Sequence, residues 1–261
     1  MKKKVILMSI DGMRPDGFLT CGNPYAEEMM KNAYYTLNGQ TVFPSKTLPC
    51  HMSLFHSVTP QRHGITTNVY QPMARPLNGL FEQLHLFKRI CAMYYGWGEI
   101  RDVATPATVT YGECINARRS ADRIESSDTA LTDSAIARLR SQAPDFVFLY
   151  QVETDEKGGH DFGWMTEEYK ARISTALDNV RRVVQEFGDE YTVIVTADHG
   201  GHDRMHGTDL PEDMTIPMFY MGPDFPKGVR FEGGSILDIA PTIAKIMEIE
   251  PADEWEGTPV I

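Results

Sequence analysis

The stretch that decides the fold of this chain is VIVTADHGGHDRMHG, residues 193–207. A β-branched apolar run stops abruptly at Asp198 and His199, and glycines with two further histidines, His202 and His206, follow. This pattern is typical of a buried parallel strand that delivers polar side chains to the carboxyl edge of a sheet. Carboxylate and imidazole groups at such short spacing suit zinc or a similar divalent metal. A strand that simply ends in a polar, histidine-rich turn is the alternative that this stretch leaves open.

The composition is that of a globular chain with an acidic balance. With 261 residues the chain is long enough to bury one large core. The formal net charge is -11, and no stripe of lysine and arginine indicates contact with a nucleic-acid polymer. No run approaches the roughly 20 apolar residues that a membrane span needs. The four cysteines are far apart and form no CxxC motif, which favours reduced thiols. We therefore expect a cytoplasmic protein.

Two other apolar runs end as the first one does. Residues 4–10 are predicted to form a strand that is followed at once by Asp11. Residues 145–152 are predicted to form another strand, followed by Asp155 and, five positions later, by His160. Because these strands alternate with helical segments, we expect an α/β fold with a mostly parallel sheet flanked by helices. The carboxyl ends of the strands would then share one edge of the sheet.

The rest of the pattern fits a single domain over residues 1–261. A short strand is predicted at residues 41–43, and helical periodicity predicts a helix over residues 128–141 with Asp128 as its N-cap. Residues 96–125 show little regular pattern and are the candidate for a small lid over the site.

A hydroxyl group is predicted to lie near a helix N-terminus. Thr47 is bracketed by Pro44 and Pro49, and Pro49 suits the first turn of a helix. The free N–H groups and the dipole at a helix N-terminus favour an anion, and a hydroxyl beside a metal can lose its proton and attack phosphorus or sulfur. A capping role for Thr47 is the commoner alternative. Asn68, in a turn-rich loop, is a candidate to donate its amide to an oxyanion or to serve the turn.

Assembled in this order, the motifs resemble those of the type I phosphodiesterase/nucleotide pyrophosphatase family within the alkaline phosphatase superfamily. The resemblance extends from Val5 to about Ile249, almost the whole chain. It implies a three-layer α/β sandwich with an alkaline-phosphatase-like core. The segments that carry it are SIDG (9–12), FPSKT (43–47), RHGI (62–65), GH (159–160), ADHG (197–200) and HG (206–207).

The resemblance also implies a site with two divalent metal ions, zinc first, with manganese or iron as alternatives. One ion would be held by Asp11, Thr47, Asp198 and His199. The other would be held by Asp155, His160 and His206. Thr47 would be the nucleophile, forming a phospho-threonine intermediate, and Asn68 would donate to a phosphoryl oxygen.

Two departures from the family pattern affect this assignment. The family usually places the histidine of the second metal four positions after the aspartate, whereas His160 comes five positions after Asp155. Either the loop bulges by one residue or Glu156 replaces Asp155, and we favour Asp155 because it lies nearer the strand end. The chain is also short for the family, so the identity of the substrate does not carry over. His202 and Asp203 are expected to support the ligands, and His51 and His63 to make structural hydrogen bonds.

The function predicted from these residues is hydrolysis of a small-molecule phosphodiester or pyrophosphate. Other hydrolases of the superfamily, a phosphonate hydrolase or a phosphomonoesterase, are the alternative. A threonine nucleophile argues against a sulfatase, since sulfatases resemble one another in a modified cysteine or serine. A metal-stabilised scaffold without catalysis is a third hypothesis, disfavoured because every candidate position holds a chemically competent side chain.

Overall fold

The computed structural model describes residues 2–119 and 125–261, and its centre is one sheet of eight strands. The strands follow the spatial order β4-β3-β5-β1-β6-β7-β2-β8. Their bounds are β1 Val5–Ile10, β2 Tyr34–Gln40, β3 Cys91–Tyr95, β4 Tyr111–Cys114, β5 Phe146–Gln151, β6 Thr192–Thr196, β7 Thr215–Met221 and β8 Val229–Arg230.

The sheet is mostly parallel, as predicted. Strand β1 pairs in parallel with β5 on one side and β6 on the other, and β3 pairs in parallel with β5 and β4. Strand β7 runs antiparallel to both of its neighbours, β6 and β2. Every residue of β1, β5 and β6 is buried. Because helices cover both faces of such strands, their sequences are continuous apolar runs rather than alternating ones.

The helices form two layers, one on each face of the sheet. Helix α3 contacts α4, α5 and α10 in one layer, and α8 contacts α1, α2 and α6 in the other. The helices are α1 Pro15–Thr20, α2 Tyr25–Asn32, α3 Thr47–His56, α4 Pro60–His63, α5 Leu80–Leu86, α6 Ser127–Gln142, α7 His160–Phe162, α8 Glu167–Phe187, α9 Pro211–Met214 and α10 Ile239–Ile246. The three-layer α/β sandwich is therefore confirmed.

Three local predictions were wrong or incomplete. Residues 41–43 are not a strand; the strand of this region is β2, whose half-exposed residues lack a continuous apolar run. Asp128 is not the N-cap of α6, because that position belongs to Ser126, whose hydroxyl accepts a hydrogen bond from the N–H of Thr129. Residues 96–125 contain a 3₁₀ turn, Gly98–Val103, and the edge strand β4.

The lid and the single domain over 1–261 stay predictions, and residues 120–124 of the candidate lid lie outside the described residues. The four cysteines, all in the described part of the chain, form no disulfide. Within the described residues, no helix has the length and apolar character to cross a membrane.

Candidate functional site

Four of the predicted site residues lie just beyond the ends of three neighbouring strands. Strands β5, β1 and β6 are adjacent in the sheet and parallel, so their carboxyl ends share one edge. Asp11 follows β1 directly, Asp198 and His199 follow β6, and Asp155 follows β5. This edge is the place where open α/β sheets bind their ligands.

The first group of side chains surrounds the Nε2 atom of His199. This nitrogen lies 3.3 Å from Asp11 Oδ1, 3.3 Å from Asp198 Oδ2 and 3.3 Å from Thr47 Oγ1. All four residues are buried. The two carboxylates, the imidazole and the hydroxyl predicted to hold one metal are therefore together, and we call them the first cluster.

The second group consists of Asp155, His160 and His206, which we call the second cluster. Asp155 Oδ2 lies 3.3 Å from His160 Nε2, and Asp155 Oδ1 lies 3.8 Å from His206 Nε2. The clusters adjoin, because the rings of His206 and His199 stack with their centroids 3.9 Å apart. Each cluster presents at least three ligand atoms within 4.8 Å of one another.

Backbone carbonyl groups orient all three histidines in the same way. The Nδ1 atom of His199 lies 2.7 Å from the carbonyl oxygen of Gly200, that of His206 lies 2.9 Å from Ser45 O, and that of His160 lies 3.0 Å from Arg204 O. Because a carbonyl oxygen can only accept, each Nδ1 must carry the hydrogen. Each neutral ring then directs the lone pair of Nε2 into its cluster, which is how proteins prepare histidine for a metal.

The buried carboxylates indicate which kind of ligand fits the two clusters. Asp11 Oδ1, Asp155 Oδ1 and Asp198 Oδ2 are buried and have no hydrogen-bond partner within residues 2–119 and 125–261. Burial, followed by repulsion from the other two carboxylates, raises the pKa of Asp11 well above its ordinary value. Burial is also the largest cause for Asp198, whose pKa rises to about 6. Buried charges of one sign need a counter-charge, and these oxygen and imidazole donors fit divalent cations.

Burial has the opposite effect on the histidines. It lowers the pKa of His206 to about 4 and the pKa of His199 well below the ordinary value, with the neighbouring imidazoles adding to the shift. Both rings are therefore neutral at physiological pH and free to act as ligands.

The extra residue before His160 is absorbed by a π-helical turn over Thr154–Gly159. The N–H of His160 donates to the carbonyl oxygen of Asp155, five positions earlier, so both side chains project on one side of this wide turn. Glu156 turns away from the cluster and pairs with Arg118. Of the two sequence alternatives, the structure contains the bulge, with Asp155 and not Glu156 in the second cluster.

Thr47 and Asn68 meet at the N-terminus of α3. Thr47 is the first residue of the helix, and Lys46 occupies the N-cap position, so Thr47 is not a cap. The side-chain oxygen of Asn68 accepts a hydrogen bond of 3.0 Å from the N–H of Leu48. That bond holds the Asn68 side chain at the first turn of α3 and leaves its NH₂ group available as a donor.

Comparison with family models identifies the chain. The model described as the metalloenzyme superfamily matches residues 117–251, slightly more than half of the sequence. The chain belongs to the metalloenzyme superfamily. The model for type I phosphodiesterase/nucleotide pyrophosphatase matches residues 5–82, the segment that contains Asp11, Thr47 and Asn68. The family resemblance read from the motifs is thus confirmed.

The chain is also similar to curated proteins and to solved structures. A 2,3-bisphosphoglycerate-independent phosphoglycerate mutase of Haloquadratum walsbyi is 31% identical over 143 residues, which cover 52% of this chain and 28% of the relative. The match therefore spans less than a third of that enzyme. Murine ectonucleotide pyrophosphatase/phosphodiesterase 5 superposes with a TM-score of 0.78 at 17% identity, covering 96% of each chain. A phosphonate monoester hydrolase of Silicibacter pomeroyi gives 0.76 at 14%, covering 99% of this chain and 76% of its own. These structures establish an alkaline-phosphatase-like fold.

Two side chains support the first cluster: Tyr150, which sequence reasoning did not single out, and His51, which it expected only to make structural hydrogen bonds. The Tyr150 hydroxyl donates to Asp11 Oδ2, the oxygen that faces away from His199. The Nδ1–H of His51 donates to Thr47 O at 2.8 Å, so in the neutral ring Nε2 accepts from the Ser9 hydroxyl at 3.1 Å. The same Nδ1 lies 3.5 Å from Asp198 Oδ2. The structural role predicted for His51 therefore lies directly behind the first cluster.

Trp164 is the supporting residue of the second cluster, and sequence reasoning did not single it out. Its ring contacts the rings of His160 and His206 edge-on, and its indole N–H donates to Gly12 O at 2.9 Å. A Cβ atom at Gly159 would lie 2.6 Å from the indole, and one at Gly201 would lie 2.2 Å from it. Gly159 and Gly201 were therefore the sequence features that could have indicated a large ring beside the histidine ligands, because the absence of a side chain at these positions makes room for it.

His202 and Asp203, which are expected to support the ligands, belong to the loop that leads to His206. His202 Nδ1 lies 2.7 Å from Asp213 Oδ1, and Asp213 also accepts from the N–H and hydroxyl of Thr208. These bonds brace the loop that carries His206. Asp203 adopts a left-handed conformation and receives the N–H of Trp164 on its carbonyl oxygen.

Proposed function

We propose that this protein is a metal-dependent hydrolase that cleaves phosphodiester or pyrophosphate bonds through a phospho-threonine intermediate on Thr47. The observation that carries the proposal is the position of the Thr47 hydroxyl. It lies 3.3 Å from His199 Nε2, and the same nitrogen lies 3.3 Å from Asp11 Oδ1 and from Asp198 Oδ2. These two buried oxygens have no hydrogen-bond partner among the described residues. A hydroxyl so placed would sit next to a cation, which is how a weak nucleophile becomes reactive at neutral pH.

The two clusters have the donors expected for two divalent cations. Asp11, Thr47, Asp198 and His199 would hold one ion, and Asp155, His160 and His206 would hold the other, with zinc first and manganese or iron as alternatives. When bound, such a pair supplies a lowered pKa for the nucleophile and neutralises charge on the attacking and leaving oxygens.

The chain's own groups account for the two chemical steps. In the first step, Thr47 Oγ forms a bond to phosphorus, its proton passes to solvent, and the bond to the leaving oxygen breaks. In the second step, water attacks phosphorus, the bond to Thr47 Oγ breaks, and the hydroxyl regains a proton. Thr47 is thereby regenerated, and one ester bond is hydrolysed per cycle.

Asn68 and the start of α3 are assigned to the developing negative charge. The Asn68 NH₂ group and the Thr47 N–H, which is one of the free donors of the first helical turn, would donate to phosphoryl oxygens. The bond from Leu48 N–H to the Asn68 side chain keeps the amide in the donating orientation. Preorganised donors of this kind are typically worth about 10²- to 10³-fold in rate.

Two observations favour a diester over a monoester. Asn68 is neutral, whereas the extra charge of a monoester dianion is better matched by a cation at that position. The murine structural neighbour is named an ectonucleotide pyrophosphatase/phosphodiesterase, which is in keeping with a diester or pyrophosphate substrate.

A phosphonate hydrolase or phosphomonoesterase is the second candidate, and Lys46 is the observation in its favour. The Lys46 side chain runs along Gly207, its Cε 3.0 Å from the place of a Cβ there, and its charge contributes to the lowered pKa of His206. An ammonium group this near the second cluster could face the extra charge of a monoester. The curated relatives are phosphoglycerate mutases, which also favours phosphoryl transfer to or from monoesters.

The test compares nitrophenyl thymidine monophosphate, a diester, with nitrophenyl phosphate, using zinc-loaded protein. We expect kcat/KM for the diester to exceed that for the monoester by about tenfold or more, a difference of at least ~1.4 kcal/mol in transition-state binding. Faster turnover of the monoester would reverse the order of the two candidates. Two bound metals with no turnover of any diester, pyrophosphate, monoester or phosphonate would favour the non-catalytic scaffold.

A further inference from the structure

A pair of buried carboxylates joins the N-terminus of α6 to the chain that leaves β5. One of them, Asp128, is the second residue of α6. Its Oδ1 accepts the N–H of Val152 at 3.0 Å, and its Oδ2 accepts the N–H of Glu153 at 2.9 Å. One carboxylate therefore binds two consecutive N–H groups directly after the strand.

Glu153 makes the reciprocal hydrogen bonds, because it accepts from residues at the start of α6. Its Oε1 accepts from the N–H of Ser127 at 2.8 Å and from the hydroxyl of the same residue at 2.9 Å, and its Oε2 accepts from the Ser126 hydroxyl at 3.0 Å. Lys157 donates to Glu153 Oε1 at 2.7 Å. Asp128 and Glu153 are each only 2% exposed. We call these reciprocal bonds between the two segments the β5–α6 clamp.

The β5–α6 clamp contains more hydrogen bonds than the N-terminus of α6 requires. Ser126 already caps α6 through its hydroxyl, and the first residues of a helix seldom need two buried acids. Placing two carboxylates together in the interior is unfavourable unless hydrogen bonds and counter-charges compensate. The bonds of Asp128 go to the neighbouring segment, so the chain leaving β5 is the part of the molecule that they fix.

That chain enters the π-helical turn Thr154–Gly159 at once. A π turn holds one residue more than an α turn and is rare as isolated structure, so its starting residues must be held in place by their surroundings. Asp155 comes two residues after Glu153, and the turn sets the distance from Asp155 to His160. A shift of the starting residues would move one ligand of the second cluster relative to the other.

We propose that Asp128, reinforced by Glu153, is a positioning residue that fixes the start of the π turn and so holds Asp155 and His160 in register for the second metal. This inference rests on the proposed two-metal site. It predicts that weakening the clamp lowers the affinity of the second site while the first site, on β1 and β6, keeps its affinity.

The experiment measures zinc affinity by competition with a chromogenic chelator, for wild-type protein and for the variants Asp128→Asn and Asp128→Ala. Asp128→Asn keeps one acceptor oxygen, and Asp128→Ala keeps none. We expect one of the two zinc ions to bind about 10- to 100-fold more weakly, the scale for residues that orient metal ligands, with the larger loss in Asp128→Ala. The weakened site should be the one that Asp155→Ala abolishes.

Ala135→Gly is the matched control, because it lowers the stability of the same helix and lies away from the clamp. If Asp128 served stability alone, Ala135→Gly would weaken zinc binding as much as Asp128→Asn at an equal change in melting temperature. That result, or two wild-type zinc affinities in Asp128→Ala, would overturn the inference. Failure of the proposed function itself has a different signature, since wild-type protein would then bind fewer than two zinc ions.

Discussion

Replacement of Thr47 is the prediction that bears most directly on the mechanism. Thr47 is buried, and its hydroxyl oxygen lies 3.3 Å from His199 Nε2. The hydroxyl does not cap α3, so Thr47→Ala removes no helix cap. We expect this variant to lose about 1 kcal/mol of stability, the usual value of one hydrogen bond, and to remain folded.

The effect on turnover should be far larger than the effect on stability. Asp11, Asp198 and His199 remain in place, so at least three donors still hold the first metal. Loss of a covalent nucleophile in hydrolases costs up to about 10⁶-fold in kcat, and we expect Thr47→Ala to lose at least roughly 10⁴-fold, or ~5 kcal/mol of transition-state stabilisation.

Thr47→Ser is the matched control, because it keeps the hydroxyl and removes only a methyl group. It should retain kcat within about tenfold of wild type, since one buried methyl is worth about 1 kcal/mol. The assay combines steady-state hydrolysis of nitrophenyl thymidine monophosphate, zinc content and thermal unfolding for all three proteins. Wild-type turnover by Thr47→Ala, with two zinc ions bound, would refute Thr47 as the nucleophile.

Three further predictions follow from the site. Asn68→Ala should lower kcat about 10²- to 10³-fold with zinc content unchanged, and a change confined to KM would argue against donation to the transition state. Gly159→Ala should push the indole of Trp164 away and lower stability by about 1–3 kcal/mol with weaker zinc binding; an unchanged melting temperature would contradict the close contact. In metal-free protein the pKa of Asp198 is raised to about 6, so its contribution favours folding most at low pH and is lost as pH rises through about 6. Zinc requires the ionised carboxylate, so the gain in melting temperature on adding zinc should grow from pH 5 to pH 7, and a gain independent of pH would contradict this reasoning.

The parts of the fold that the sequence predicts are those with a strong hydrophobic pattern. Strands β1, β5 and β6 are buried on both faces, and each appears in the sequence as an apolar run that stops at a polar residue. Strands β2, β4 and β8 were missed because their residues are largely half-buried or exposed, so burial imposes no continuous apolar pattern on them. A hydrophobic pattern in the sequence reflects burial, so strands that are half-exposed show little of this pattern.

The candidate site could be predicted as a set of residues but not as a network. Asp11, Asp198 and His199 are visible because polar groups at the ends of apolar runs are unusual. Tyr150 is hidden because it lies within a strand that is buried throughout, where it looks like a core residue. His51 lies in a helix that is also buried throughout, so the sequence indicates a structural role for it but not its position behind the first cluster.

The choice between Asp155 and Glu156 depended on the backbone. Both are acidic residues in the same turn, and composition does not distinguish them. The π-helical turn directs Asp155 toward His160 and Glu156 toward Arg118, and no local sequence pattern specifies a turn with one extra residue. The sequence is equally ambiguous at Asp128. An acidic residue near the start of a helix is predicted to be an N-cap, whether its carboxylate binds its own helix or, as here, the chain that follows a neighbouring strand.

The central claim is that the two clusters bind two metal ions, and anomalous X-ray scattering at the zinc edge from zinc-loaded crystals tests it most directly. The account predicts two peaks at the carboxyl edge of the sheet. One should lie within about 2.0–2.2 Å of Asp11, Asp198 and His199, and the other at the same distance from Asp155, His160 and His206. A single peak, or zinc bound away from these side chains, would contradict the account.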